Sequence, residues 1–197
     1  MNTSVDEMYR QLLDAASFAA RAHQGQYRKD RVTPYVSHAF RVCLVLRDIF
    51  GCDDARMLIT ALLHDTIEDT TTDYDDLKER YGPEIATWVA YLTKDKRLPD
   101  QERERVYVER LKEAPWQVQV CKLADIFDNL MDSAHLPSDR RTHSRQRAEI
   151  YFSHLRQLPA PQAQKPIALV QALLEETPPE ERERGSKGER DKATFEG

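Results

Sequence analysis

The sequence predicts an all-α fold. Apolar residues recur at helical spacing through most of the chain. Only 6 of the 197 residues are Gly, beside 40% hydrophobic and 32% charged residues, a balance that suits packed helices better than a turn-rich sandwich. No stretch shows the clear period-two alternation of a strand. The length suits one domain with one proper core, expected over residues 1–176.

The elements follow in order. Met8, Leu12, Ala15, Ala19 and Ala22 share one face of a first helix, and a polar loop with Gly25 and Pro34 follows. A second helix spans about Tyr35 to Phe50 and ends at Gly51. Asp53 or Asp54 caps a third, which Met57, Leu58, Ile59, Ala61, Leu62 and Leu63 make apolar almost all round, so it should be central and buried. Thr72 or Asp73 caps a short helix to Tyr81, Gly82-Pro83 breaks it, and Glu84–Thr93 forms the next. Two more are expected near Asp100–Glu113 and Trp116–Ser133. Pro137-Ser138 opens a long helix to about Leu158, and a last helix runs to Glu176 after a proline-interrupted stretch. Residues 177–197 should form a charged, disordered tail: 11 of the last 20 residues are charged and Phe195 is the only large apolar side chain among them.

Composition excludes several functions. A net charge of −5, from 29 basic and 34 acidic residues, argues against a duplex-DNA binder working through bulk positive charge. The opening MNTSVDEMYR has acids and no apolar core, so it does not read as a signal peptide, and the apolar run Met57–Leu63 is too short to span a bilayer. Cys43, Cys52 and Cys121 form no CxxC pair and read as reduced thiols of a cytoplasmic protein. We therefore expect no nucleic-acid and no membrane partner; the sequence leaves the oligomeric state open.

The signs of charge are segregated. Six bases (Arg21, Arg28, Lys29, Arg31, Arg41, Arg47) and one acid, Asp30, lie between positions 21 and 47. Seven acids and one base, Lys78, lie between His64 and Glu79. Such runs are usually solvated helix faces, but here they enclose residues of metal chemistry. His64-Asp65 closes the buried helix, where it is either a satisfied core histidine beside a carboxylate cap or part of a metal site. His38 lies early in the neighbouring helix, and Glu68 and Asp69 follow His64 and Asp65 by four residues each. Asp125 interrupts the apolar sequence of KLADIFDN, with Asn129 on the same face. His38, His64, Asp65 and Asp125 supply a mixed nitrogen and oxygen set suited to Mn²⁺, Fe²⁺ or Zn²⁺, with the carboxylates leaning to a harder ion. Such an ion acidifies water, and Glu68 and Asp69 would orient that water and move its proton.

The segments AHQGQYRKDRVTPYVSH (22–38), HDTIEDT (64–70), YGPEIATWVAYLTK (81–94) and KLADIFDN (122–129) resemble the hydrolase domain of RelA/SpoT homologues, in the HD phosphohydrolase superfamily. The chain is most similar to the stand-alone small alarmone hydrolases, such as the metazoan SpoT homologue, over about its first 158 residues. The resemblance implies a compact multi-helix HD-domain fold, one Mn²⁺, and hydrolysis of guanosine 3′,5′-bis(diphosphate) or its pentaphosphate to GDP or GTP plus pyrophosphate. His38, His64, Asp65 and Asp125 would be the metal ligands and Glu68 and Asp69 the catalytic acids. Arg28, Lys29, Asn129 and Tyr151 would line the pocket of a polyphosphorylated nucleotide. Ile126 stands where relatives often place a base, and either changes substrate contacts or packs inward. The basic cluster Arg140, Arg141, Arg145 and Arg147 is either a solvated face or a source of phosphate contacts. Adenosine alarmones or NADPH as substrate, and a non-catalytic nucleotide sensor, remain the alternatives.

Overall fold

The computed structural model describes residues 3–133 and 136–176, so the expected tail at 177–197, and His135, lie outside the described residues. Among the described residues the chain is helical, with one isolated bridge between Tyr27 and Pro34. The helices are α1 (Thr3–Ala22), α2 (Val36–Leu44), α3 (Ala55–Leu63), α4 (Thr66–Asp69), α5 (Tyr74–Tyr81), α6 (Pro83–Leu92), α7 (Asp100–Glu113), α8 (Trp116–Asp132), α9 (Ser138–Leu155) and α10 (Gln164–Glu175). None of them is long and apolar enough to cross a membrane.

α3 explains its own composition. It packs against α1, α2, α6 and α8, and every residue from Met57 to Leu63 is buried. Met57, Leu58 and Ala61 join a core with Val42 and Leu46 of the α2 segment and Val120, Leu123 and Ala124 of α8. Ile59, Leu62 and Leu63 join a second core with Ala15 and Ala19 of α1, Leu77 and Tyr81 of α5, and Ile85 and Val89 of α6. A helix wedged between two apolar layers has no solvent face, so an all-round apolar sequence is what its position requires. Ala15 and Ala19 bring α1 close to it, since small side chains shorten the approach.

Local chemistry sets the ends. Asp54 accepts the Arg56 N–H at 2.9 Å and caps α3. Asp73 and Asp76 exchange side-chain and backbone hydrogen bonds in a capping box on α5. Gly82, at φ 87°, ends α5 in a conformation that side chains disfavour, and Pro83 opens α6.

Two boundaries differ from the sequence expectation. The second helix winds its last turn as a π segment, Val45–Ile49, in which Phe50 N–H donates to Val45 O at 2.8 Å. The extra residue in that turn keeps Val45, Leu46 and Phe50 all buried. α9 stops at Leu155 rather than Leu158. The acidic segment does not continue α3: the helix ends at Leu63, Asp65 sits at φ −101°, ψ −1°, and α4 is a separate short turn. Side chains take the freed carbonyls. His64 Nδ1–H donates to Ala61 O at 2.8 Å and Thr66 Oγ1 donates to Leu63 O at 2.7 Å.

At the rim, Asp14 of α1 accepts both Arg80 Nε at 2.7 Å and the Tyr81 hydroxyl at 2.8 Å. The Arg80 guanidinium is the main reason that the Asp14 pKa falls to about 2. That is below the ordinary unfolded value, so its stabilisation is present above that value and fades as pH falls towards 2. Both partners are more than one-third exposed, which holds the effect to about 1 kcal/mol or less. Asp14→Asn should lower stability at neutral pH, and chemical denaturation should show its deficit shrinking between about pH 4 and pH 2.

Candidate functional site

The break after α3 turns His64 and Asp65 towards α2 and α8. His38 comes from the first turn of α2 and Asp125 from the middle of α8. One ligand atom each of His38, His64 and Asp65 can be chosen within 4.8 Å of one another. Asp65 Oδ2 lies 2.9 Å from His64 Nε2 and 3.7 Å from His38 Nε2. Asp125 Oδ1 lies 3.1 Å from His38 Nε2 and 3.9 Å from His64 Nε2. Two imidazole nitrogens and two carboxylate oxygens, from α2, the break after α3 and α8, therefore converge.

The outer nitrogens fix the orientation of both rings. His38 Nδ1 is bonded to Asp128 at 2.7 Å and His64 Nδ1 to the Ala61 carbonyl, which leaves each Nε2 facing the cluster. His64 Nε2 is buried and, although Asp65 Oδ2 lies 2.9 Å away, makes no well-aligned hydrogen bond. A buried imidazole nitrogen in that state beside two carboxylates is what a divalent cation site presents, so the donor set fits a cation.

Electrostatics agrees with that fit. Burial opposes a charge on His64, but the Asp65 and Asp125 carboxylates outweigh it and hold its pKa up at about 9. Burial likewise opposes charge on Asp65 and Asp125. The neighbouring imidazoles, and for Asp125 chiefly the Lys122 ammonium, keep both well below the usual carboxylate range. In the ion-free cluster, imidazole protons and Lys122 balance the two carboxylates, and a divalent cation bound there would take the place of those protons.

All ten residues selected from the sequence line one cavity of about 300 Å³. Glu68, on α4, is held by the Lys94 backbone N–H at 2.8 Å, and burial pushes its pKa up. Asp69 accepts from Lys96 Nζ and, at 3.3 Å, from the Tyr35 hydroxyl. Arg28 lies over the Tyr35 ring at 5.7 Å and is bonded to Asp132 at 2.8 Å and to Asn129 at 3.0 Å, so its charge is already met by a carboxylate. Lys29 has its pKa lowered by burial and by Arg28, Arg147 and Arg140, a crowding of like charges that an anion would relieve. Tyr151 is buried and its hydroxyl bridges Lys94 and Glu104. Ile126 packs in the core, as one of the two readings expected, and also lines the cavity. Of the arginine cluster, Arg147 lines the cavity, Arg140 reaches the Lys29 carbonyl, and Arg145 turns to the end of α10.

Sequence reasoning missed several residues. Tyr35 donates to Asp65 Oδ2 at 2.5 Å, and its place in TPYVSH was the available signal. Lys122 is bonded to Asp125 Oδ2 at 2.6 Å and lies over the Tyr151 ring at 4.7 Å, in a position that reads from sequence as a surface base. Lys94 gave no signal beyond its place in the YLTK segment. His23 is buried, bonded to Gln26 at 2.9 Å and packed on Tyr35, consistent with a packing role. Trp88 lies in the core.

The backbone loop ahead of α2 is pinned. Asp30 accepts the N–H groups of Val32 and Thr33, each at 2.9 Å, while Arg31 takes φ 62°. A non-glycine residue there is strained by about 1 kcal/mol. Arg31→Gly should therefore leave stability unchanged or raise it by up to about 1 kcal/mol in thermal or denaturant melts. Tyr35→Phe removes the phenol that bonds Asp65 and should weaken divalent-cation binding by about tenfold or more in calorimetric titration.

The chain is similar to known proteins in sequence and in fold. The HD domain family model matches residues 15–157. The chain is 37% identical over 142 residues to the guanosine-3′,5′-bis(diphosphate) 3′-pyrophosphohydrolase MESH1 of Xenopus tropicalis, covering 72% of this chain and 78% of that one. It is 43% identical over 123 residues to the Homo sapiens protein of the same name, covering 62% and 69%. A solved structure of a metazoan orthologue of SpoT, described as hydrolysing ppGpp, superposes with a TM-score of 0.74 at 28% identity, covering 89% of this chain and 96% of that one. With the family model spanning α1 to α9 and the His64-Asp65 pair standing at the turn that ends α3, the chain belongs to the HD-domain family.

Proposed function

We propose that the chain is a cation-dependent pyrophosphohydrolase of guanosine 3′,5′-bis(diphosphate), removing the 3′ diphosphate as pyrophosphate and leaving GDP. The observation that carries this reading is the two-sided cavity. A histidine–carboxylate cluster with a buried Nε2 that makes no well-aligned hydrogen bond forms its floor, and the crowded bases Lys29 and Arg147 line it as well. A polyphosphate fits such a cavity because its anionic oxygens need both a cation and basic side chains. The names of the relatives supply the nucleotide.

His38, His64, Asp65 and Asp125 would hold the ion, which we assign as one Mn²⁺. Bound there, it supplies Lewis-acid polarisation of a phosphoryl oxygen and acidification of water. The remaining work falls to the chain. Glu68 accepts a proton from the attacking water, since burial makes its carboxylate a better base and the Lys94 N–H fixes its orientation. Asp69, steadied by Tyr35 and Lys96, orients the same water. Lys29 and Arg147 meet the phosphates. Arg28 with Asn129 lines the nucleoside side, and the Tyr151 ring forms an apolar wall. The reduced cysteines support action in the cytoplasm.

The test is incubation of the purified chain with guanosine 3′,5′-bis(diphosphate) and Mn²⁺, with pyrophosphate and GDP quantified. Turnover should require the ion, and Glu68→Gln should lower kcat by about a hundredfold or more while Mn²⁺ binding persists. A panel with the adenosine counterpart and NADPH ranks the substrates by kcat/KM. Higher efficiency on either of those, or tight binding without turnover, would overturn the assignment.

A further inference from the structure

Behind the cavity lining, a line of ion pairs joins two of its residues, His38 and Arg28. His38 Nδ1 meets Asp128 Oδ2 at 2.7 Å. Arg41, one turn along α2 from His38, grips both oxygens of that carboxylate, at 2.7 and 3.0 Å. The same guanidinium reaches Asp132 Oδ1 at 3.0 Å. Asp132 Oδ2 in turn accepts two bonds from Arg28, at 2.8 and 3.0 Å. The order is thus His38, Asp128, Arg41, Asp132, Arg28. A second branch runs from Arg28 through Asn129 to Asp125 Oδ1, at 3.0 and 2.5 Å.

Two features set this line apart from a simple staple between α2 and α8. Asp128 is only 3% exposed, and burying a carboxylate is costly where apolar contact would join two helices equally well. Its partner is the outer nitrogen of a ring whose inner nitrogen faces Asp65 and Asp125, the arrangement that orients a cation-binding imidazole. At the far end, Asp132 uses one oxygen for each arginine, so moving either guanidinium disturbs the other. Arg28 begins the pinned loop that also carries Lys29.

We propose that Asp128, Arg41 and Asp132 are positioning residues that tie the cation-facing His38 to the substrate-facing Arg28. Loosening one end of the line is therefore felt at the other. This rests on the reading of the cavity as a cation and polyphosphate site. Asp128 sets the angle and tautomer of His38, Arg41 fixes Asp128, and Asp132 makes the placement of Arg28 depend on Arg41.

The experiment titrates Mn²⁺ into the metal-free full-length chain by calorimetry and, separately, measures kcat and KM on guanosine 3′,5′-bis(diphosphate). Asp128→Asn should weaken Mn²⁺ binding about 10- to 100-fold. Asp132→Asn should raise KM several-fold more than it lowers kcat. It should also weaken Mn²⁺ binding by about threefold or more, although Asp132 touches neither His38 nor Asp125. Arg41→Gln should move both readouts, and Arg41→Lys should recover part of the loss. Circular dichroism and thermal melts establish that each variant is folded. If an asparagine or glutamine variant is not folded, Asp132→Glu and Arg41→Lys are judged by the same two readouts. Folded Asp132 and Asp128 variants with unchanged Mn²⁺ affinity would overturn the proposal. A wild-type chain that binds Mn²⁺ and does not turn over the nucleotide defeats the substrate reading alone, since the titration still reports on the line of ion pairs.

Discussion

The cost of burying charge governs this molecule. His38, His64, Asp125 and Asp128 are all buried between helices, where an isolated carboxylate would neutralise itself or disrupt the packing. None is isolated. Asp125 faces Lys122 and His38, Asp128 faces His38 and Arg41, and Asp65 faces His64 and the Tyr35 hydroxyl. Lys122 meets the faces of Tyr107 and Tyr151 in place of water. The cluster is tolerable only because apolar layers hold its members still, and that is the task of α3 and its two cores. One constraint therefore accounts for both the most apolar and the most charged parts of the chain.

Helical spacing lets a few elements carry so much. Lys122, Asp125, Asn129 and Asp132 stand three or four residues apart on α8, with Asp128 beside Asn129, so one side of one helix holds a base, a cluster carboxylate and the acids paired with His38 and Arg28. His38 and Arg41 do the same on α2 with a single turn. The acids of α4 need the opposite device. Because α3 stops at Leu63, Glu68 and Asp69 come from a separate turn that meets the loop after α6, at Lys94 and Lys96.

Much of this was legible in the sequence. Glycine and aspartate punctuation placed the breaks at Gly51 and Gly82 and narrowed the caps to Asp53 or Asp54 and to Thr72 or Asp73, of which Asp54 and Asp73 act, because those signals work within a few residues. The π turn at Val45–Ile49 was not legible, since it depends on where Phe50 must pack. The end of α3 was legible at His64-Asp65, but the means was not: His64 and Thr66 end the helix by bonding carbonyls with their side chains. In the site, His64-Asp65 and Asp125 stood out as polar groups in apolar runs. Tyr35, Lys122 and Asp128 did not, because their meaning comes from partners across the fold. Arg28 was selected as a base facing substrate, but its carboxylate partner Asp132 lies 104 residues away and emerges only in three dimensions.

The grip on Glu68 has a consequence for how the protein can change over generations. Its donor is the main-chain N–H of position 94, which every amino acid except proline supplies. The side chain at that position is therefore released from the task of holding the acid and can answer to other neighbours, as the Lys94 ammonium does with Glu104 and Tyr151. Sequence drift at 94 can reshape the wall of the cavity while the acid beside the cluster keeps its anchor. Under the proposed function, the cavity wall and the proton-accepting acid can then change separately at one position.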